Sequence, residues 1–244
     1  MICLNPVSLC CVCSNDAILA ASDFLSDLGI PVVFTPDRSC THLLLPVPSF
    51  SLGDSFLSTI LDELPDHVIV SGGNLASEKL SRYQTVDFLT DPVYLAQNAA
   101  ITARCAVMLV IDQLQSSFHN KKILILGFGR IGKCLCRELY STGAEIYAAA
   151  RKNADLALIG ALGIHAVPIS DIEEYARHMD IIFNTVPQMV LTRYCPKEDS
   201  IAIELASKPG IGGQNVISAR GLPAKMAPEE SGELIARTFI RLSL

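Results

Sequence analysis

What this 244-residue sequence lacks narrows the reading first. Its cysteines form no paired Cys-x-x-Cys frame. His42, His67, His119, His165 and His178 are scattered, none at ligand spacing from a cysteine or acid, so no metal centre is expected. There is no Gly-x-Ser-x-Gly and no Ser–His–Asp set, which removes the common nucleophilic hydrolases. Lysine and arginine number 19 against 25 acids, a net charge of −6 with no basic stripe, so nucleic acid is not an expected partner. No basic residue precedes Arg38, and the apolar start MICLNPVSLCCVC therefore lacks the charged region of a secretory signal. The apolar run AAITARCAVMLVID is interrupted by Arg104 and is shorter than a bilayer span, so no membrane partner is expected.

Half of the residues are hydrophobic, enough for a full core without metals or disulfides. The nine cysteines, with Cys10, Cys11 and Cys13 in an apolar strand-like segment and Cys134 and Cys136 on different faces of a helix, read as reduced core thiols of a cytosolic protein.

Apolar runs alternate with helical stretches along the whole chain, which implies parallel sheets. In the N-terminal third, strands are expected at 8–13, over IPVVFT, over THLLLPVP, at 67–74 and at 85–90. A helix capped by Ser14 or Asn15 and stopped at Gly29 lies among them, with a shorter one over Ser55–Leu64. Asp91-Pro92 opens a long helix to about residue 115. A second βα series follows from Lys121: strands at 122–126, 145–150, 164–167, 179–184 and 200–205, helices at 131–142, 154–162 and 171–177, and a last helix over Pro228–Leu244. This organisation predicts an α/β fold of two domains with a cleft between them. Residues 1–92, rejoined by the C-terminal helix 229–244, form a flavodoxin-like parallel sheet. Residues 93–228, which include the linking helix 93–115, form a Rossmann dinucleotide-binding domain.

The segment KKILILGFGRIGKCL carries Gly127-x-Gly129-x-x-Gly132 directly after an apolar strand and at the start of a helix, the context this motif requires. Gly127 allows the tight turn, Gly129 the approach of a pyrophosphate, and Gly132 close packing of helix on strand. Phe128, Arg130 and Ile131 complete the turn, and the helix N-terminus offers N–H groups to phosphates. At the end of the next strand, a ribose-binding carboxylate would select NAD. Ala150, Arg151 and Lys152 stand there instead. The missing repulsion and the two cations point to the 2′-phosphate of NADP(H), with NAD(H) as the other choice. Two exposed cations also suit a merely solvated loop.

QNAAITARCA, LGFGRIGKCL, ARKNADL, DIIFNTVP, IELASKPG and GLPAKMAPEESG, in this order, resemble the A subunits of dipicolinate synthases from about Asn98 to the C-terminus. The resemblance implies NAD(P)-dependent oxidation of dihydrodipicolinate to dipicolinate, a fold like that of 2-hydroxyacid dehydrogenases, a partner in the flavoprotein-like B subunit, and the mother-cell cytoplasm of a spore former. A homodimer is a further possibility the sequence leaves open. The alternative is a protein that binds NADP and docks to a flavoprotein without turnover of its own. Two departures stand out. Ile101, Arg104 and Cys105 replace a Pro, Glu and Gly usual in the linking helix, and only IGGQNVISAR separates SKPG from GLP where relatives have a helix and a strand.

With two carboxylates on the implied substrate, cations and N–H nests are the expected binding groups. Asn184, Thr185, Val186 and Pro187 end a strand at the ligand-binding edge, where Asn184 and the Val186 backbone would lie along the ribose–nicotinamide half, or where the segment is a turn device, such as a cis-proline turn, without ligand contact. Ser207 and Lys208 end another strand at that edge, where Lys208 would grip a carboxylate and Ser207 hydrogen-bond it, the alternative being a solvated loop lysine. Lys225 is a second candidate cation. Glu229 is either a substrate contact or a first-turn acid complementing a helix dipole. Asn98 and Thr102 share one helix face, which suits either contact with nicotinamide or substrate or a core-facing, domain-packing role. Ser71-Gly72-Gly73 is the weakest candidate, as an anion nest.

Overall fold

A computed structural model of the chain describes residues 7–48, 52–114, 116–192, 200–213 and 215–244. The chain folds as two compact units. One comprises Met1–Asn98 with Pro223–Leu244, the other Ala99–Leu222.

The first unit begins β1 (Leu9–Cys11), α1 (Asp16–Asp27), β2 (Val32–Val33), β3 (His42–Leu44), α2 (Asp54–Asp62), β4 (Ile69–Gly72) and β5 (Gln84–Asp87). All pairings are parallel, in the order β2-β1-β3-β4-β5, the flavodoxin-like arrangement. The expected cap and stop of α1 are both present. Asn15 Oδ1 accepts from the Ile18 N–H at 3.1 Å, and Gly29 takes φ +82 beyond the last turn. β1 is shorter than the apolar run predicts. It stops at Cys11, and Cys13 is exposed.

The run expected to be strand through residue 90 leaves the sheet early, in a 3-10 turn over Phe88–Thr90. The cause is Asp87. Its carboxylate accepts the N–H of Asn74, Leu75 and Leu89 at 3.1, 2.9 and 2.9 Å, and so pulls the chain out of extended geometry.

The second unit takes in most of α3 (Pro92–Leu114), then β6 (Lys122–Leu126), α4 (Arg130–Leu139), β7 (Glu145–Ala150), α5 (Asn153–Ala161), β8 (His165–Pro168), α6 (Ile172–Ala176), β9 (Ile181–Asn184), β10 (Ile201–Glu204) and β11 (Val216–Ser218). α3 is long and apolar enough to span a bilayer, longer than the run read from the sequence. Tyr94, Ala99, Ile101, Ala103, Cys105, Ala106 and Val110 are buried along it, the pattern of a core helix.

The sheet order β11-β10-β9-β6-β7-β8 is parallel throughout and is the doubly wound Rossmann order. The short SKPG-to-GLP segment thus keeps its strand. β11 pairs with β10 through a crossover that has no helix among the described residues.

After the short α7 (Leu222–Met226) the chain returns to the first unit as α8 (Pro228–Ser243). Pro228 occupies the first turn together with Glu229 and Glu230. α8 packs along α1, and Gly232 makes the close approach possible. A Cβ there would lie 2.7 Å from the Ala17 carbonyl oxygen and 2.6 Å from Ala20 Cβ. At its far end, His42 Nε2 donates to the Ser243 carbonyl (3.0 Å), Ser71 and Ser243 hydroxyls meet at 2.8 Å, and Phe239 sits edge-on to the His42 ring. Burial lowers the affinity of His42 for a proton.

Candidate functional site

Parallel pairing brings the carboxyl ends of the second sheet level. Leu126 lies beside Ala149 and Asn184, and Asn184 beside Glu204. Everything that follows these strands therefore emerges along one edge. The residues concerned are Gly127 to Gly132, Ala150 to Lys152, Asn184 to Pro187, and Ser207 with Lys208. Ligands of doubly wound sheets bind at this edge, at the switch point between β6 and β9.

The three glycines of the turn differ in what they permit. Gly127 has φ +96, and a Cβ on it would lie 2.7 Å from Thr185 Oγ1. Thr185 in turn donates to the Leu126 carbonyl at 2.9 Å. A Cβ on Gly132 would lie 2.0 Å from the Gly127 carbonyl oxygen, so α4 abuts the turn backbone. A Cβ on Gly129 would meet nothing within 4 Å. That open face sits at the N-cap of α4, where the first-turn N–H groups have no intrahelical acceptor, a geometry able to receive an anion. Phe128 is buried, with Lys133 Nζ 5.3 Å from its ring centroid, while Arg130 is exposed and Ile131 half-buried.

Ala150 faces the core beside Pro168, 5% exposed. Arg151 and Lys152 are exposed, and among the described residues neither side chain has an ion-pair partner. Among the described residues the turn therefore presents two exposed cations with no ion-pair partner, and no acid at residues 150–152.

Asn184 is fully buried, and its polar atoms serve the fold. Oδ1 accepts the Val186 N–H (3.0 Å), and Nδ2 donates to the Val186 carbonyl (3.0 Å) and to Glu204 Oε1 (2.7 Å). It shapes the loop through Pro187 from within.

Glu204 is the residue that sequence reasoning missed. It is 4% exposed, and besides Asn184 it accepts the N–H of Ala206 (3.1 Å), Gly210 (2.7 Å) and Ile211 (3.3 Å). Ser207, Lys208 and Pro209 project into solvent from the turn it holds. The available signal was an acid closing an apolar strand just before a Ser-Lys-Pro-Gly turn.

The remaining candidates are distributed between the units. Thr102 is buried in the second unit's part of α3, whereas Asn98 and the exposed Lys225 of α7 fall in the first unit. Ser71-Gly72-Gly73 does not form an open nest. The Ser71 hydroxyl meets Ser243, Gly73 N–H donates to the Pro46 carbonyl (3.3 Å), and a Gly73 Cβ would lie 2.5 Å from Val47 Cγ1. The described cysteines are free thiols, and Cys3 and Cys195 lie outside the described residues. Burial pushes Cys10 and Cys136 up to about 12 and raises Cys11, Cys13, Cys40 and Cys134 as well, so none of these is set as a thiolate nucleophile. Among the described residues no cluster of His, Cys and acids has the makings of a metal site.

Residues 110–203 match the family of the D-isomer specific 2-hydroxyacid dehydrogenase, NAD binding domain. Over 239 aligned residues the chain is 26% identical to the A subunit of dipicolinate synthase of Bacillus subtilis (strain 168), an alignment covering 85% of this chain and 79% of that protein. The crystal structure of the corresponding Bacillus halodurans protein superposes with a TM-score of 0.83 at 21% identity, covering 98% of both chains. That of the Bacillus subtilis protein gives 0.79 at 21% identity, covering 98% of this chain and 96% of the other. The second unit is thus a dehydrogenase-type NAD(P)-binding domain, and the whole chain is similar to these proteins in fold.

Proposed function

We propose that this chain is an NADP-dependent oxidoreductase converting dihydrodipicolinate to dipicolinate, the A subunit of a dipicolinate synthase that works beside a flavoprotein-like B subunit in the mother-cell cytoplasm. One observation carries this reading. The glycine turn and the Ala150-Arg151-Lys152 turn leave neighbouring strands, and the Ser207–Lys208 turn leaves the same sheet edge beyond the intervening β9, which supports a dinucleotide site and a carboxylate-binding cation within one unit. The near full-length similarity to the two Bacillus proteins supports the choice of substrate.

Bound NADP+ would supply the hydride acceptor needed to turn a dihydropyridine into an aromatic pyridine, with the accompanying proton released to solvent. Aromatisation favours the products, so the protein's task is orientation. Gly129 and the α4 N-terminus would hold the pyrophosphate, Arg151 and Lys152 the 2′-phosphate, and Lys208 with Ser207 a substrate carboxylate. No histidine is needed, because no alcohol is deprotonated.

The crossover to β11, which has no helix among the described residues, favours a second reading, a dinucleotide-binding protein that docks to its partner without turnover. The purified chain, mixed with NADP+ and dihydrodipicolinate, separates the two. Growth of the NADPH absorbance band supports the enzyme, tight NADP+ binding without turnover supports the docking role, and no dinucleotide binding overturns both.

Cofactor choice has its own test. Arg151→Ala is expected to weaken NADP+ binding about 10- to 100-fold, the worth of a charge-assisted hydrogen bond of roughly 1.5–3 kcal/mol. NAD+ binding should stay within about threefold. Equal losses for both dinucleotides would place Arg151 away from the 2′-phosphate.

A further inference from the structure

We infer that Glu204 is a positioning residue, one that couples the dinucleotide-binding loop to the substrate-binding turn. The inference rests on the reading of Ser207 and Lys208 given above.

Four donors converge on this one buried carboxylate. Oε1 takes Asn184 Nδ2 and the Ala206 N–H, and Oε2 takes the N–H groups of Gly210 and Ile211. Asn184 carries the loop after β9. Ala206, Gly210 and Ile211 bracket the Ser207–Lys208 turn after β10. Glu204 therefore joins the two loops with its own side chain.

The loops are joined further at Gly210. Its carbonyl accepts the N–H of Val190 and of Leu191, at 2.9 and 3.0 Å. A Cβ on it would lie 2.3 Å from Asn184 Nδ2 and 2.8 Å from the Gln188 carbonyl oxygen. Movement of one loop thus entails movement of the other.

The chemistry demands a carboxylate at this point. Two oxygens with about four lone-pair positions meet four donors, one for one. A glutamine has a single acceptor oxygen, and its NH₂ would face two donors whichever way the amide turned. Glu204 is buried away from solvent, so it acts on any ligand only through the loops it joins.

If the two loops move as one, dinucleotide binding should prepare the substrate turn. The probes are NADPH and pyridine-2,6-dicarboxylate, titrated separately and together into the whole chain by calorimetry. In the unsubstituted protein, saturating NADPH is expected to raise dicarboxylate affinity about tenfold. By reciprocity the dicarboxylate raises NADPH affinity equally. Glu204→Gln should abolish this coupling and weaken NADPH binding about tenfold.

Asn184→Ala is the second variant, in case Glu204→Gln does not fold. It cuts the side-chain link between the loops along with the two Asn184–Val186 hydrogen bonds, and leaves the three backbone donors on Glu204 and the backbone link at Gly210 in place. It too should bring the coupling factor to about one. Loss of stability alone would not uncouple two ligands, so the coupling factor separates positioning from a purely structural role. Coupling unchanged in the variants that fold overturns the inference. If the unsubstituted chain binds NADPH but not the dicarboxylate, the substrate reading falls, and Glu204 is then judged on NADPH alone. Unchanged NADPH affinity in the folded variants would overturn its role there too.

Discussion

Alanine at Gly129 is expected to leave the protein as stable as before and to remove dinucleotide binding, while alanine at Gly132 should damage both. At Gly129, φ is −80 and a Cβ meets no protein atom within 4 Å, so the folded chain accepts the methyl group. The same methyl would stand where the pyrophosphate approaches the backbone. Excluding the phosphates from the helix N-terminus should cost at least about 100-fold in affinity, which corresponds to roughly 2.7 kcal/mol. At Gly132 a Cβ falls 2.0 Å from the Gly127 carbonyl oxygen, backbone that cannot swing aside. Helix α4 must then back away from the turn, and overpacking of this kind costs roughly 1–3 kcal/mol. Thermal melting and NADPH fluorescence titration read the two quantities separately. A Gly129→Ala protein that binds NADPH normally would show that the phosphates do not lie against this turn.

The second large effect is expected from Phe239→Ala. Phe239 is fully buried on α8, with its ring edge-on to His42 at 5.6 Å between centroids. Removing a buried phenyl ring costs about 3–5 kcal/mol, a large share of a domain's stability. The loss also loosens the end of α8, where Ser243 meets His42 and Ser71. Urea unfolding followed with and without NADPH should show the transition of the first unit moving to lower denaturant. The transition of the second unit should keep its stabilisation by NADPH. A denaturation profile identical to that of the unsubstituted chain would mean that α8 contributes little to holding the first unit together.

Element types were largely legible in the residues, because the signals are local. Asn15 and Gly29 mark the two ends of α1 by their own backbone chemistry. The run KILIL followed by Gly-Phe-Gly announces a buried strand and a phosphate turn within a few residues. Boundaries were less legible where a distant group intervened. β5 ends at Asp87 because the carboxylate gathers N–H groups from Asn74 and Leu75, residues of another loop. Asn184 read as a ligand contact because polar residues at strand ends often are. The fold instead commits its amide to Val186 and Glu204. Ser71-Gly72-Gly73 read as a nest because the backbone pattern allows one, and the neighbouring chain at Pro46 and Val47 fills the space.

The amino-acid sequence alone determined the α/β class, the two sheets, the dinucleotide turn and the absence of an acid at residue 150. Hydrophobic period, turn residues and charge all act over a few positions, so a linear reading captures them. Only the tertiary structure decided which strand ends stand level, which of their polar residues face inward, and that Glu204 gathers donors from two loops. Those facts depend on parallel neighbours far apart in the chain, as when Glu204 and Asn184 are brought together across twenty residues and His42 and Ser243 across 201. A hydrogen bond between distant residues leaves no mark on either one's immediate sequence, and for that reason the residue proposed here to couple the two loops came to light only in the folded chain.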